Sequence, residues 1–144
     1  MNGADRHASA GFFGNLDDLA PEGPTFWPDL AAGEARSEWE ELQTWVHRLV
    51  ARYDLDSHVV PACWYRHNQL VEALVSLRDH ERGSFSVTSP PTAAVDWQRA
   101  LRDIESRLRA WTAELRCDNR HHPGHDVRRV LVEGDWNDWL EITE

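Results

Sequence analysis

The sequence predicts an all-α protein: a three-helix core, a disordered N-terminal tail before it and a small C-terminal appendage after it. Three observations carry that reading. Three separate stretches repeat apolar residues in steps of three and four, the mark of one buried helix face. Glycine and proline gather in the first 33 residues and between those stretches, not inside them. And 144 residues suit a single domain with room for a tail. The expected divisions are a flexible tail over 1–33, a helical core over 34–126 and an appendage over 127–144.

The tail region is rich in Gly, Ala, Pro and Asp, and no helical period persists through it. Phe12, Leu16 and Leu19 share one face of a short helix. Thr25-Phe26-Trp27-Pro28 forms an extended aromatic clasp. Both apolar knots suit an apolar groove, the chain's own or a partner's. Residues 1–10 are expected to be mobile, and Phe12–Leu19 to order only against such a groove.

The first helix is expected over 34–53, with Trp39, Leu42, Val46, Leu49 and Tyr53 as its stripe and Trp45 and Val50 widening it. Glu34, Glu38, Glu40 and Glu41 crowd its first turns, where the helix dipole favours anions. Ser57 and Pro61 mark the break. The second helix is expected over 62–82, with Cys63, His67, Leu70, Leu74 and Leu77 on one stripe and Pro61 just outside its start. Residues 83–92 read as a loop. The third helix, over 93–116, has the cleanest heptad: Trp97, Leu101, Ile104, Leu108, Trp111 and Leu115. Three stripes of this length close a small bundle. Beyond it, Asp118–Asp126 is polar, Val127–Glu133 reads as a short strand, and Asp135 as the cap of a short helix carrying Trp136, Trp139 and Leu140.

The eight tryptophans divide by position. Trp39, Trp45, Trp97 and Trp111 have core spacing. Trp27, Trp64, Trp136 and Trp139 lie near the ends or beside the cysteine segment, and some of them are expected in an exposed aromatic patch. The candidate interface residues are Phe12, Leu16, Leu19, Trp27, Trp136 and Trp139.

Composition narrows the function. The net charge is −10, and every one of the 15 basic residues is arginine. Residues 1–60 carry 4 Arg against 11 acids, residues 96–129 carry 8 against 6, and residues 130–144 carry 5 acids and no base. Acidic ends around a near-neutral middle repel nucleic acid as a whole. No apolar run reaches the roughly 18–20 residues of a membrane span, and the start has no signal-peptide pattern. The expected location is the cytoplasm, where two cysteines are reduced thiols free for metal binding or catalysis.

Those two cysteines carry the sharpest feature. Pro61-Ala-Cys-Trp-Tyr-Arg-His and Cys117-Asp-Asn-Arg-His each place a histidine four residues after a cysteine. Zinc takes two thiolates and two imidazoles in a tetrahedron. Positions i and i+4 of a helix point the same way, so Cys63 and His67 can grip one ion. The start of the second helix and the end of the third are neighbours in an antiparallel hairpin, which brings Cys117 and His121 to the same place. His122 or His125 can replace His121. The arrangement has one requirement: a continued third helix turns Cys117 off the core stripe, so the helix has to end near Arg116. Two other readings compete. Cys63 can be a small buried hydrophobe beside surface histidines. It can also be a reactive thiol in a first helical turn with His67 as its base. No Gly-rich phosphate loop, nucleophile elbow or oxyanion loop accompanies the pair, and no catalytic residue is assigned.

The stretch from Pro61 through Cys63-Trp64 and His67 to Leu74, followed by Asp96-Trp97 and a long Arg/Leu/Trp helix ending in Cys117, resembles a group of small uncharacterised proteins of GC-rich bacteria that often accompany plasmids and phages. The resemblance covers about residues 39–125 and implies no activity and no functional residue. The expected function is therefore that of a non-enzymatic accessory or adaptor protein acting through protein–protein contacts, with a structural zinc site. A nucleic-acid-associated regulator using the Arg-rich segment 99–129 is the alternative, and a cysteine-dependent enzyme the second.

Overall fold

A computed structural model describes residues 23–117, 120–123 and 133–143. Among these residues all regular structure is helical: α1 (Ala32–Tyr53), α2 (Asn68–Ser84), α3 (Ala93–Leu115) and α4 (Glu133–Thr143), with single 3-10 turns at Trp27–Asp29 and Trp64–Arg66. The all-α fold with a three-helix core is thus the observed one.

Each helix boundary has a local cause. α1 begins at Ala32, two residues earlier than the sequence suggests, because the Glu34 carboxylate accepts the Ala31 backbone N–H at 3.1 Å. Gly33 therefore falls inside the first turn, where a glycine costs little. α1 ends where Asp54 takes a left-handed conformation (φ 52°), which a short polar side chain tolerates better than most. α3 ends the same way at Arg116 (φ 59°), whose N–H reaches back to Thr112 O and Ala113 O.

The second helix departs most from expectation. It covers 68–84, not 62–82. Residues 61–67 form a separate knuckle: a turn at Pro61, the 3-10 turn, and then an extended His67 (φ −122°, ψ 110°) that caps α2. An extended residue cannot continue a helix, so Cys63 and His67 do not occupy consecutive turns of one.

The core lies around α2, which packs on both α1 and α3. Leu42, Val46, Leu70, Leu74, Leu77 and Leu108 are its most deeply buried members. Trp45 and Trp97 are buried as expected, and Trp111 packs partly against the core. Trp39 does not belong to it: it is 37% exposed and packs against Trp27, the rings tilted 41° with centroids 4.7 Å apart. Tyr53 is also a rim residue, accepting a hydrogen bond from Trp97 Nε1 at 3.1 Å. Trp64, by contrast, is buried under the knuckle and not part of an exposed patch.

The tail region is docked where it is described. The Thr25 N–H donates to Asp79 Oδ2 at 2.7 Å, and Trp27 turns in a 3-10 turn onto Trp39. Of the aromatic clasp, Trp27 thus packs on the chain's own core, while Phe26 is 61% exposed. Phe12, Leu16, Leu19 and residues 1–10 lie outside the described residues, as do His125 and 127–132 of the expected strand. Glu133, the last residue of that strand, is helical. α4 therefore starts before Asp135, which lies within the helix and does not cap it.

Candidate metal centre

Two segments meet where α2 begins and α3 ends. In the first, Trp64 N–H donates to Pro61 O, Arg66 N–H to Cys63 O and His67 N–H to Trp64 O, all between 2.9 and 3.1 Å. These bonds wind residues 61–67 into a tight knuckle, so the Cys63 and His67 side chains leave it on one side. The His67 carbonyl accepts the Leu70 and Val71 N–H groups and fixes the knuckle to α2. Buried Pro61 and Trp64 form its apolar support.

In the second segment the left-handed turn at Arg116 ends α3, and Cys117 becomes almost fully buried. This meets the requirement that the helix stop near Arg116. Thr112 Oγ1 donates to Val59 O at 3.3 Å and pins the last turns of α3 to the loop that leads into Pro61. Both anchors come from backbone geometry that the cysteine spacing does not announce.

Cys63, His67, Cys117 and His121 each offer one ligand atom, and these atoms all lie within 4.8 Å of one another. His67 Nε2 is 3.8 Å from Cys63 Sγ and 3.3 Å from Cys117 Sγ. Metal–sulfur and metal–nitrogen bonds of tetrahedral zinc imply sulfur–nitrogen edges of about 3.6 Å. The His67 and His121 rings have centroids 4.8 Å apart. Three of the four residues are buried and His121 is half-buried.

The hydrogen bonding serves the sulfurs in either state. His67 Nε2 faces both of them, and as a thiol Cys117 also finds acceptors in Leu115 O at 3.6 Å and His122 O at 3.4 Å. His121 Nδ1 is buried with no hydrogen-bond partner among the described residues. Such an orphaned group costs about 1–3 kcal/mol if nothing binds it. The His122 backbone N–H donates to Cys117 Sγ at 3.1 Å, the contact that steadies a thiolate ligand. His122 therefore serves the cluster through its backbone, a role a search for side-chain ligands overlooks.

Electrostatics point the same way. Burial, then the hydrogen bond and charge of adjacent Cys117, raises the Cys63 thiol above its ordinary 9.0, with Arg66 offsetting part of the rise. Burial, then the charge of His121, lowers His67 below its ordinary 6.5. His67 is thus neutral at pH 7 with its lone pair available. Two thiols resist ionising side by side, and a divalent cation removes that resistance. Two sulfurs and two nitrogens at these separations suit one tetrahedral ion. A two-iron cluster puts its thiolates and imidazoles on different irons, which needs wider spacing. Four protein ligands leave no open position for a substrate, as in structural sites.

Of the other sequence candidates, Trp27 is half-buried on Trp39. Trp136 and Trp139 lie on α4, 59% and 54% exposed, their rings stacked 5.4 Å apart. The Arg-rich face of α3 is largely matched within its own helix: Arg99 pairs with Asp96, Arg107 with Asp103 and Arg109 with Glu105, at 3.1–3.6 Å.

A second buried polar cluster escaped the sequence reading. Arg78, almost fully buried on α2, pairs with Glu38 of α1 and with Asp79, and donates to Thr25 Oγ1 at 3.1 Å. The signal was present. Arg78 stands four residues after Leu74 and seven after Val71, on the apolar stripe, where an arginine implies a buried partner.

Fold and site together define a small helical protein whose buried Cys2His2 cluster could hold a metal ion. No family model, no curated protein and no solved structure matches the chain.

Proposed function

We propose that the chain is a metal-stabilised helical adaptor. A structural zinc held by Cys63, His67, Cys117 and His121 staples the start of α2 to the end of α3, and the protein works by binding other proteins, not by catalysis. The carrying observation is the convergence of four ligand atoms within 4.8 Å from two segments about fifty residues apart in sequence. Both cysteines are free thiols, which suits a reducing cytoplasm, and among the described residues no helix is long and apolar enough to cross a membrane. The adaptor role draws on the exposed aromatic surface of α4. The matched charges on α3 disfavour a nucleic-acid partner.

Elemental analysis of protein purified without chelators tests the metal. The expected result is one zinc per chain, with a melting temperature that a strong chelator lowers. Fully reduced, folded protein that holds no metal and melts alike with and without chelator sinks the proposal. The adaptor role is tested by co-purification: Trp136→Ala with Trp139→Ala should lose a partner that the unaltered chain retains at constant stoichiometry. If the same partners follow both proteins, α4 is not the binding surface.

A further inference from the structure

The two ligating sulfurs are also the chain's only cysteines, and they lie within 4.8 Å of each other in one buried pocket. A disulfide needs a sulfur–sulfur distance of about 2.05 Å. The sulfurs sit on two different anchors: Cys63 on the knuckle ahead of α2, and Cys117 one residue beyond the left-handed turn that ends α3. Neither cysteine lies inside an α-helix, so closing the remaining gap asks for side-chain rotation and a small shift of two turns, not for a break in α2 or α3.

We infer that Cys63 and Cys117 are an oxidative modification site, at which hydroperoxides convert the metal staple into a disulfide staple across the same pair of segments. The inference rests on the metal reading for what is displaced, but not for the disulfide itself. The chemistry closes on the chain's own atoms. One sulfur, as thiolate, attacks the peroxide O–O bond, becomes a sulfenic acid and releases hydroxide, which takes up a proton to give water. The second sulfur attacks that sulfenic sulfur, forms the S–S bond and releases the second water. Two sulfurs together lose two electrons and one peroxide gains them. The metal keeps its oxidation state and leaves because two of its four ligands are gone.

The two staples differ in what they hold. Both link the start of α2 to the end of α3. Only the metal also holds His121, and only a thiolate strongly accepts the His122 backbone N–H. Oxidation therefore keeps the helical hairpin and releases residues 120–123, the segment that leads toward α4 and its exposed tryptophans. The site is a switch for residues 120–123, not an off-switch for the fold.

The experiment treats the full chain with one equivalent of hydrogen peroxide, once loaded with zinc and once stripped and reduced. In the loaded protein, zinc release to a chromophoric chelator should match, mole for mole, the loss of two hydrogens from the intact mass. Hydrogen exchange should rise at His121 and His122 and stay unchanged in α2 and α3. The oxidised protein should melt above the reduced, metal-free protein. Oxygen gain without loss of two hydrogens, a disulfide between two chains, or collapse of protection across α2 and α3 each overturns the inference. The stripped sample separates the two claims. A chain that binds no zinc yet forms the internal disulfide rejects the metal reading and keeps this one. A chain that binds zinc yet never forms the disulfide does the reverse.

Discussion

Two buried polar clusters hold this small core together, and they are built on opposite principles. Around Arg78 the charges are of opposite sign: a guanidinium faces Glu38 and Asp79, and Thr25 adds a hydroxyl and a backbone N–H. Burial lowers the arginine, but the two carboxylates outweigh it and hold the guanidinium above its usual range. With Arg82 3.9 Å from Asp79, two guanidiniums meet two carboxylates and that cluster neutralises itself. Around His67 the groups are alike: two thiols, which ligate as thiolates, and two imidazoles, which ligate as the neutral ring. Burial and mutual repulsion push Cys63 up and His67 down, so both favour their neutral forms. Nothing inside that cluster offsets the charge of a thiolate, which is what the proposed cation would supply from outside. The lesson is that burial of polar groups has two solutions, internal pairing or an imported charge, and the sign pattern of the residues tells which.

The largest expected effect comes from removing the imported charge. Cys117→Ser should lower stability by on the order of 5 kcal/mol in zinc-replete buffer, because a structural metal contributes its binding energy to folding. Cys63→Ser should cost about the same. The double variant should lose little more, since either change removes the one site. Thermal or denaturant melts with and without chelator check this, and the chelator should reproduce either variant. If the losses at the two cysteines add, they do separate jobs and the comparison fails.

Next comes the self-paired cluster. Arg78→Met should cost about 3–5 kcal/mol, because it leaves Glu38 without its cation and Asp79 with only the longer contact to Arg82 at 3.9 Å. The loss should be the same with or without chelator, the property that separates the two clusters. Replacing Glu38 together with Arg78 by apolar residues should recover part of it, since no carboxylate then faces an empty partner position from α1. A chelator-dependent loss at Arg78 breaks the distinction between the clusters.

A smaller effect lies in pH, and it sharpens the sign argument. In the metal-free protein His67 has a folded pKa below its unfolded value near 6.5. The unfolded chain therefore binds the proton more tightly, and stability present above pH 6.5 falls as the pH drops through that value toward the lower folded one. Cys63 is the mirror case. Its folded pKa lies above 9.0, so the unfolded thiol ionises first and stability falls as the pH rises past 9. Melts of the stripped protein between pH 5 and 10 should show a plateau between the two limits. His67→Gln should flatten the acid limb and leave the alkaline limb in place.

How much of this the sequence shows depends on how local the cause is. The stripes of α1 and α3 were readable because helical period and burial coincide along them. The start of α2 was misplaced because Cys63, His67 and Leu70 keep helical spacing while the backbone between them does not; periodicity reports which side chains face inward, not how the chain gets there. The four ligand candidates were legible from the repeated Cys-x-x-x-His spacing and the hairpin, although the geometry that joins them is a knuckle and not a helix face. Trp39 sat at a core position of its stripe, but the core does not extend to that first stretch of α1, where Trp27 covers its ring. The Arg78 cluster needed contacts between residues forty and more positions apart, which a single stripe does not report beyond the arginine itself.

The smallest expected effect tests the turn that makes the second segment of the site. Arg116 holds a left-handed conformation that costs a side-chain-bearing residue roughly 1 kcal/mol and a glycine almost nothing. Asp54 holds a similar conformation at the end of α1, away from the cluster. Arg116→Gly should therefore relieve strain and stabilise the folded chain by about 0.5 kcal/mol, after the extra freedom glycine gives the unfolded state. Arg116→Val should do the opposite, since a β-branched residue tolerates that conformation poorly. What distinguishes the two left-handed turns is that only the one at Arg116 adjoins the proposed metal site. Rebuilding the Arg116 turn with valine swings Cys117 away from His67, so zinc affinity should fall together with stability. The same change at Asp54 should lower stability alone. Competition with a chelator of known affinity, measured on both valine variants, gives the answer. Equal zinc affinity in the two means that the turn at Arg116 does not place the second thiolate, and that the site is organised by its ligands and not by the helix end that carries them.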